Sequence, residues 1–363
     1  MLQASGRATA GCTTRWAAVR RCSALTWCIS GGAGPARSGR IAAPRHRPRA
    51  ALPCDPEPQP RPAASGRRPR PRQRTSQLTL AGLLGCWKDC PVLISVPELR
   101  RKLGQSGLVV IDARAPVGEP ARGHAKYREG HIPGARWLSW DEALHARDPH
   151  TPGRLPEAER IRGALAACGV GEGDSIVAYD DNQQFTAAQL VWILHTYGFR
   201  RVHRLDGGWP CWTALGGAVE HGEPAVEPRT GPALPAHASE SSRAEIDHVR
   251  ALINEGAPIL DCRRDSSWCE DPYLIPTAQR LPVRLLLDDN GLFLPPSRRL
   301  RIAQEAGALA DRTTLVYCGA SISAAAVWLG LTEAGWEDVR LYDGGLPEWT
   351  SLGHPVQANT RPS

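Results

Sequence analysis

The chain has 363 residues, 42% hydrophobic and 22% charged, a globular composition with room for two domains. No run reaches the ~18 apolar residues that a membrane-spanning helix needs. The net charge of +7 is unevenly placed: residues 1–75 hold 15 Arg against Asp55 and Glu57, leaving 29 basic and 35 acidic residues in the remainder, where no basic patch argues for nucleic acid.

The Arg- and Pro-rich stretch over residues 1–88, with runs such as "PRHRPRAALP" and "SGRRPRPRQR", cannot bury a core and is expected to be disordered. Three readings of it stay open. Its Arg-rich, acid-poor composition suits an organellar transit peptide, which would place the protein in a mitochondrion or another organelle. It could serve as a basic binding arm. Or it lies upstream of a true start near Val92, which goes with a cytoplasmic protein; the chain's single Met is Met1. Eleven scattered cysteines, an odd number, argue against a disulfide framework and for a reducing compartment. "CWKDC", with Cys86 and Cys90, has no second Cys/His pair at zinc spacing and reads as free thiols in a linker.

From there the pattern alternates. A strand is predicted over Leu108–Asp112, a helix over Pro156–Cys168 closed by Gly169, and a strand over Ser175–Tyr179. A helix follows over Thr186–Tyr197, closed by Gly198, then a strand over Val202–Leu205 and a Gly-Gly turn into a short Trp-containing helix. The polar, Pro-rich stretch 223–240 reads as a linker. Beyond it, Thr314–Tyr317 is a strand, and Ser323 is a good N-cap for a helix over Ala324–Ala334 closed by Gly335.

The two halves are copies. "HRLDGGWPCWTALGGAV" (203–219) matches "RLYDGGLPEWTSLGHPV" (340–356), pairing Trp212 with Trp349. Upstream, "VVIDAR" matches "PILDCR", "HIPGA" matches "LIPTA", and "SIVAYD" matches "TLVYC", so Asp180 stands opposite Cys318. Strands alternating with helices imply an α/β fold: in each copy a central, mainly parallel sheet flanked by helices, with the working site beyond the strands' carboxyl ends. Asp180 and Cys318 both sit there.

In "VYCGASISAAA" the amides from Gly319 to Ser323 can turn inward as a nest, and the following helix adds its positive end. An anion is favoured at the centre, so Cys318 is expected to have a lowered pKa, and a persulfide on it would be held by the same amides. The bland reading makes Cys318 a small buried hydrophobe. Phosphatase chemistry wants an Arg at the end of such a loop to hold phosphoryl oxygens, and none follows Cys318. Asp112 and Asp261, ending strands, are expected to fix neighbouring loop amides. Trp212 and Trp349 read as core anchors, and the Asp-Gly-Gly turns as loops whose glycines permit positive φ.

On "IDAR", "GHIPGA", "AYDD", "LDGGWPCW", "YCGASIS" and "LYDGGLPEW", residues 91–357 resemble the tandem rhodanese-type sulfurtransferases. The resemblance implies two rhodanese-like domains, a non-catalytic one over 89–222 and a catalytic one over 241–357. It implies sulfur transfer from 3-mercaptopyruvate or thiosulfate through a Cys318 persulfide, with cyanide, a small thiol or a thioredoxin-like protein as acceptor. Such a scheme needs no metal or organic cofactor and no nucleic-acid or membrane partner, and tandem members often act as monomers. The loop Gly319-Ala320-Ser321-Ile322-Ser323 is similar to that of the mercaptopyruvate branch. It departs at Ala320, where a Ser thought to relay with the "HIPG" His (here His131) is usual, and at Ser321, which replaces a Gly. Arg122 stands nine residues before His131, where that branch tends to have Asp. The family's substrate-holding Arg positions in the N-terminal copy correspond to Gln189 and His195. The candidates to hold an anionic donor instead are Arg114, Arg136 and Arg263. His131 itself also reads as a turn residue. A rival reading, favoured by Gln189, His195 and the eroded "LIPTA", is a low-turnover sulfur relay or persulfide-sensing module serving a protein partner.

Overall fold

In the computed structural model, residues 91–359 are described, apart from 115, 117, 118, 146, 147, 149, 183 and 184. The expectations for residues 1–88, and for Cys86 and Cys90, lie outside that range. Five parallel strands form the N-terminal sheet: β1 (Leu93–Ile94), β2 (Leu108–Asp112), β3 (Arg136–Trp137), β4 (Ser175–Tyr179) and β5 (Val202–Leu205), in the order β1-β5-β4-β2-β3. Its helices are α1 (Val96–Lys102), α2 (Pro120–Glu129), α3 (Ala158–Ala167), α4 (Thr186–Thr196) and α5 (Gly208–Ala214). Three predicted strands fall on their observed bounds, and the helices differ by a residue or two at their ends, where last turns fray.

The C-terminal half repeats the plan. Its strands are β6 (Arg243–Ala244), β7 (Ile259–Asp261), β8 (Tyr273–Leu274), β9 (Gln279–Arg280), β10 (Thr314–Tyr317), β11 (Val339–Tyr342) and β12 (Gln357–Ala358). Five of them form a second parallel sheet in the order β6-β11-β10-β7-β9, and β12 pairs antiparallel with β8 beside it. The helices are α6 (Ile246–Asn254), α7 (Asp265–Glu270), α8 (Pro296–Glu305), α9 (Ile322–Glu333) and α10 (Gly345–Ser351). Among the described residues no helix is long and apolar enough to cross a membrane.

The two halves meet through α4 and α9. All eleven residues of α4 are buried, as is α9 from Ile322 to Leu331. Each helix is apolar all round because one side covers its own sheet and the other meets its counterpart. One apolar cluster therefore runs through both halves, from Ile176 and Trp192 to Val316 and Trp328. Trp192 also donates its indole N–H to the Ser242 carbonyl at 3.0 Å, where β6 begins.

The start of α9 corrects one expectation. The helix begins at Ile322, and its N-cap position is held by Ser321, not Ser323. Ser321 adopts the left-handed conformation, φ 61°, and makes no side-chain cap; its hydroxyl donates instead to the Asp343 carbonyl at 3.0 Å. The loop after Cys318 is so short that one left-handed residue must turn the chain into the helix.

Trp192→Ala is expected to destabilise the protein by about 3–5 kcal/mol, read by equilibrium denaturation. A loss below about 1 kcal/mol would show that the α4–α9 contact is not what holds the halves together.

Candidate active site

Cys318 follows β10 directly, at the carboxyl end of the C-terminal sheet. The crest beneath it is tied down. The Tyr317 hydroxyl donates to Asp261 at 2.6 Å, and Asp261 accepts the Arg263 amide at 3.0 Å. The same pair of bonds recurs in the other half, where Asp112 accepts from Tyr179 at 2.6 Å and from the Arg114 amide at 2.9 Å. Both aspartates thus fix loop amides, as expected. Behind the loop, the Cys318 carbonyl accepts from the Leu346 amide at 3.1 Å. That approach requires Gly345: its φ is +59°, and a Cβ there would collide with the Cys318 carbonyl oxygen. On the opposite side Gly153, from the N-terminal half, lies flat on the loop, where a Cβ would come within 2.6 Å of the Ala320 carbonyl carbon.

The Cys318 side chain is 3% exposed, at the base of a pocket of about 160 Å³ lined by Arg263, Arg264, Ser267 and the loop residues Gly319, Ala320, Ile322 and Ser323. Burial pushes its thiol above the ordinary value. The amides of Ala324 and Ala320 pull it down, Asp261 pushes it up, and the Ser323 amide pulls it down again. The amides favour the anion as expected, but the expected lowered pKa is not found: desolvation of a thiolate outweighs them. Cys262, at the end of the neighbouring strand, is also buried and stays a thiol for the same reason.

The equivalent place in the N-terminal half is filled by the chain itself. Asp180 is fully buried. Its carboxylate accepts from the Asn182 amide at 2.9 Å, the Ala187 amide at 3.0 Å and Arg204 at 3.1 Å. Its carbonyl accepts from the Trp209 amide at 2.8 Å, past Gly208, where a Cβ would strike that carbonyl. The Asp180 side chain thus fills a second amide nest, and its partners among the described residues all belong to its own half.

Other sequence candidates divide clearly. Gln189 reaches the site and braces the loop from α4: it accepts from Trp140 at 2.5 Å and donates to the Ala320 carbonyl at 3.3 Å. His195 is buried beside Trp328, and burial, with Arg200 and His203 nearby, pushes its pKa down to about 3. The shift favours its neutral form. His131 is bonded to the Tyr127 carbonyl at 2.9 Å and stacks on the Tyr127 ring, a turn residue of the N-terminal half. Arg114 is paired with Asp112 at 2.5 Å and lies over Trp209. Arg136 contacts the Ala135 carbonyl. Neither Arg114 nor Arg136 lines the pocket. Arg263 does; its guanidinium pairs with Asp261 at 2.7 Å and donates to the Tyr273 carbonyl at 2.9 Å, while Nη1, 3.1 Å from Asp271, makes no hydrogen bond to a described residue. Trp212 and Trp349 are core anchors as expected, each donating its indole N–H to a carbonyl, of Ala218 and Pro355.

Sequence reasoning missed Arg264 and Ser267. The available signal was "DCRRDSSW": a second Arg follows a matched strand-end motif, in the half that carries the cysteine, where parallel sheets place their sites.

Comparison with known proteins agrees with this arrangement. The family described as Rhodanese-like domain matches residues 95–215 and 245–352. The chain is 30% identical over 273 residues to a putative thiosulfate sulfurtransferase, SseB, of Mycobacterium tuberculosis, covering 72% of this chain and 94% of that protein. It is 31% identical over 281 residues to a probable 3-mercaptopyruvate sulfurtransferase of Pseudomonas aeruginosa, covering 73% and 97%. The crystal structure of the 3-mercaptopyruvate sulfurtransferase SseA from Escherichia coli superposes with a TM-score of 0.61 at 26% identity, covering 71% of this chain and 99% of that one.

Alkylation of Cys318 by iodoacetamide in the resting protein is expected to rise with pH through a midpoint above the ordinary thiol value of about 8.5. Mass spectrometry of the Cys318 peptide reads it. A midpoint near about 7 would show that the amides outweigh burial.

Proposed function

The chain belongs to the rhodanese-like family of sulfurtransferases, and from that premise we propose that Cys318 is the sulfur-carrying nucleophile, with residues 89–222 as a non-catalytic domain, 223–240 as linker and 241–357 as the catalytic domain. The observation that carries the assignment is a buried thiol at the base of a small pocket, with three backbone N–H groups directed at its sulfur. Cys318 Sγ attacks the sulfane sulfur of the donor. The new S–S bond forms as the donor's bond to that sulfur breaks, and the thiol proton leaves with the departing group. From thiosulfate the departing group is hydrogensulfite. From 3-mercaptopyruvate the C–S bond breaks with its electron pair going to the methylene carbon, which takes up the Cys318 proton to give pyruvate, while the donor's own thiol proton is lost to solvent as the outer sulfur ionises. The persulfide carries its negative charge on the outer sulfur. The loop amides that cannot outweigh burial for the resting thiol stabilise this more polarisable anion as the pocket fills and water leaves. A thiophile such as cyanide or a thiol then takes the outer sulfur and frees Cys318.

The neutral loop favours a singly charged donor of the mercaptopyruvate kind over a dianion such as thiosulfate. No side chain from Gly319 to Ser323 is charged, Arg263 faces Asp261 and Asp271, and Arg264 is the one lining guanidinium without an ion pair among the described residues, enough for a single negative charge. Each uncompensated oxyanion would lose a charge-assisted hydrogen bond, about 1.5–3 kcal/mol. A second reading, sulfur delivery to a protein acceptor, is supported by the use of Gln189 to brace the loop in place of a substrate-holding Arg.

Cys318→Ser is expected to lower turnover of either donor, with cyanide or dithiothreitol as acceptor, by roughly 10³-fold or more. Full turnover in that variant would refute the nucleophile assignment. Low turnover in the unaltered protein with both small acceptors, but rapid discharge to a thioredoxin-like protein, would favour the relay.

A further inference from the structure

Two consecutive arginines leave β7 in opposite directions. Arg263 turns inward, is 3% exposed, and is neutralised by Asp261 and Asp271. Arg264, the N-cap residue of α7 with extended backbone angles (φ −63°, ψ 159°), turns outward and is exposed. Both line the Cys318 pocket. Arg264 makes no ion pair with any described residue. The carboxylate next to it in sequence, Asp265, is already held by Arg280 and by Arg284, the latter at 2.7 Å. Ser267, three residues on, puts its side chain on the same wall. Across the loop, Gly319 faces open space, with nothing within 4 Å of where a Cβ would sit. Among the described residues no cation of the N-terminal half lines the pocket, and Gln189, which reaches the loop from α4, is hydrogen-bonded to Trp140 and to the Ala320 carbonyl. The pocket is thus lined by a buried cysteine, a loop without charged side chains, and Arg264 and Ser267, of which Arg264 has no acidic partner among the described residues.

We propose that Arg264, assisted by the Ser267 hydroxyl, binds the anionic head group, carboxylate or sulfonate, of the small sulfur donor. The donor is then recognised by the first loop of the catalytic half itself, not by a basic residue contributed from α4. This rests on the sulfurtransferase reading of Cys318 and names the residue that sets its donor class. A planar guanidinium presents paired N–H donors that match a carboxylate or one face of a sulfonate. The small pocket keeps the head group within a few bonds of the sulfur. Because Arg264 is exposed, its attraction is sensitive to salt, and because it lies at the rim, its loss acts on donor capture more than on the chemical step.

The test compares two alkylating agents of similar size on the full chain, iodoacetate (anionic) and iodoacetamide (neutral), read at the Cys318 peptide by mass spectrometry at low ionic strength. In Arg264→Ala the iodoacetate rate is expected to fall about 10-fold while the iodoacetamide rate holds within about 2-fold, with Arg264→Lys intermediate. The KM for an anionic donor is expected to rise about 10- to 100-fold at nearly constant kcat. The iodoacetamide rate in each variant reports that the loop is still folded. An unchanged ratio of the two alkylation rates in Arg264→Ala, or an unchanged donor KM, would overturn the proposal. If the ratio responds as expected but no donor loads sulfur on Cys318, the sulfurtransferase mechanism fails and the anion site stands. If donors load sulfur and the ratio does not respond, the anion site alone fails.

Discussion

The close approach of α10 to the Cys318 carbonyl governs the site. The second glycine of Asp343-Gly344-Gly345 lets the helix start against that carbonyl, and the Leu346 amide bonds to it. With its carbonyl held from behind, the loop has only one way to turn into α9, through Ser321 in the left-handed conformation. Its amides then face inward around the sulfur. Any side chain at Gly345 forces the helix back, opens the loop and scatters the donors. The N-terminal half uses the same device: Gly208 admits the Trp209 amide to the Asp180 carbonyl, and Phe185 is the left-handed residue before α4.

The duplicated frame carries different occupants. In one copy the Asp180 side chain fills the nest, bonded to two amides and Arg204. In the other, the amides surround a neutral thiol and are fully compensated only when an anionic sulfur forms. This difference distinguishes the two copies of one fold: one nest is filled by the chain's own carboxyl group, the other by a thiol. The halves act as one body because both nest-bearing loops lead into α4 and α9, which bury each other; Gln189 on α4 carries the connection to the carbonyl of Ala320.

Much of this was legible in the sequence, because it depends on local pattern. The alternation of short apolar runs with helical stretches marked Leu108–Asp112, Ser175–Tyr179 and Val202–Leu205 at their observed limits. The duplication set Asp180 opposite Cys318. Features decided by tertiary contacts were not legible. The loop's amides could be seen in the sequence, but the burial that opposes them could not, so the direction of the Cys318 shift was misjudged. Ser323 fits the N-cap pattern, yet the short loop brings the helix forward to Ile322. Of Arg263 and Arg264, the first is drawn inward by Asp261, two residues before it, together with Asp271 and the Tyr273 carbonyl. Gly153 could not be singled out without knowing that its segment crosses to the other half.

The account makes Cys318 the single carrier of sulfur between donor and acceptor. The most direct measurement is the mass of the intact protein, and then of its cysteine peptides, after incubation with 3-mercaptopyruvate or thiosulfate alone. One added sulfur, about 32 Da, is predicted on the Cys318 peptide, removed by cyanide in a single step. A stable sulfur adduct confined to another cysteine, or steady turnover with no adduct at Cys318, would contradict it.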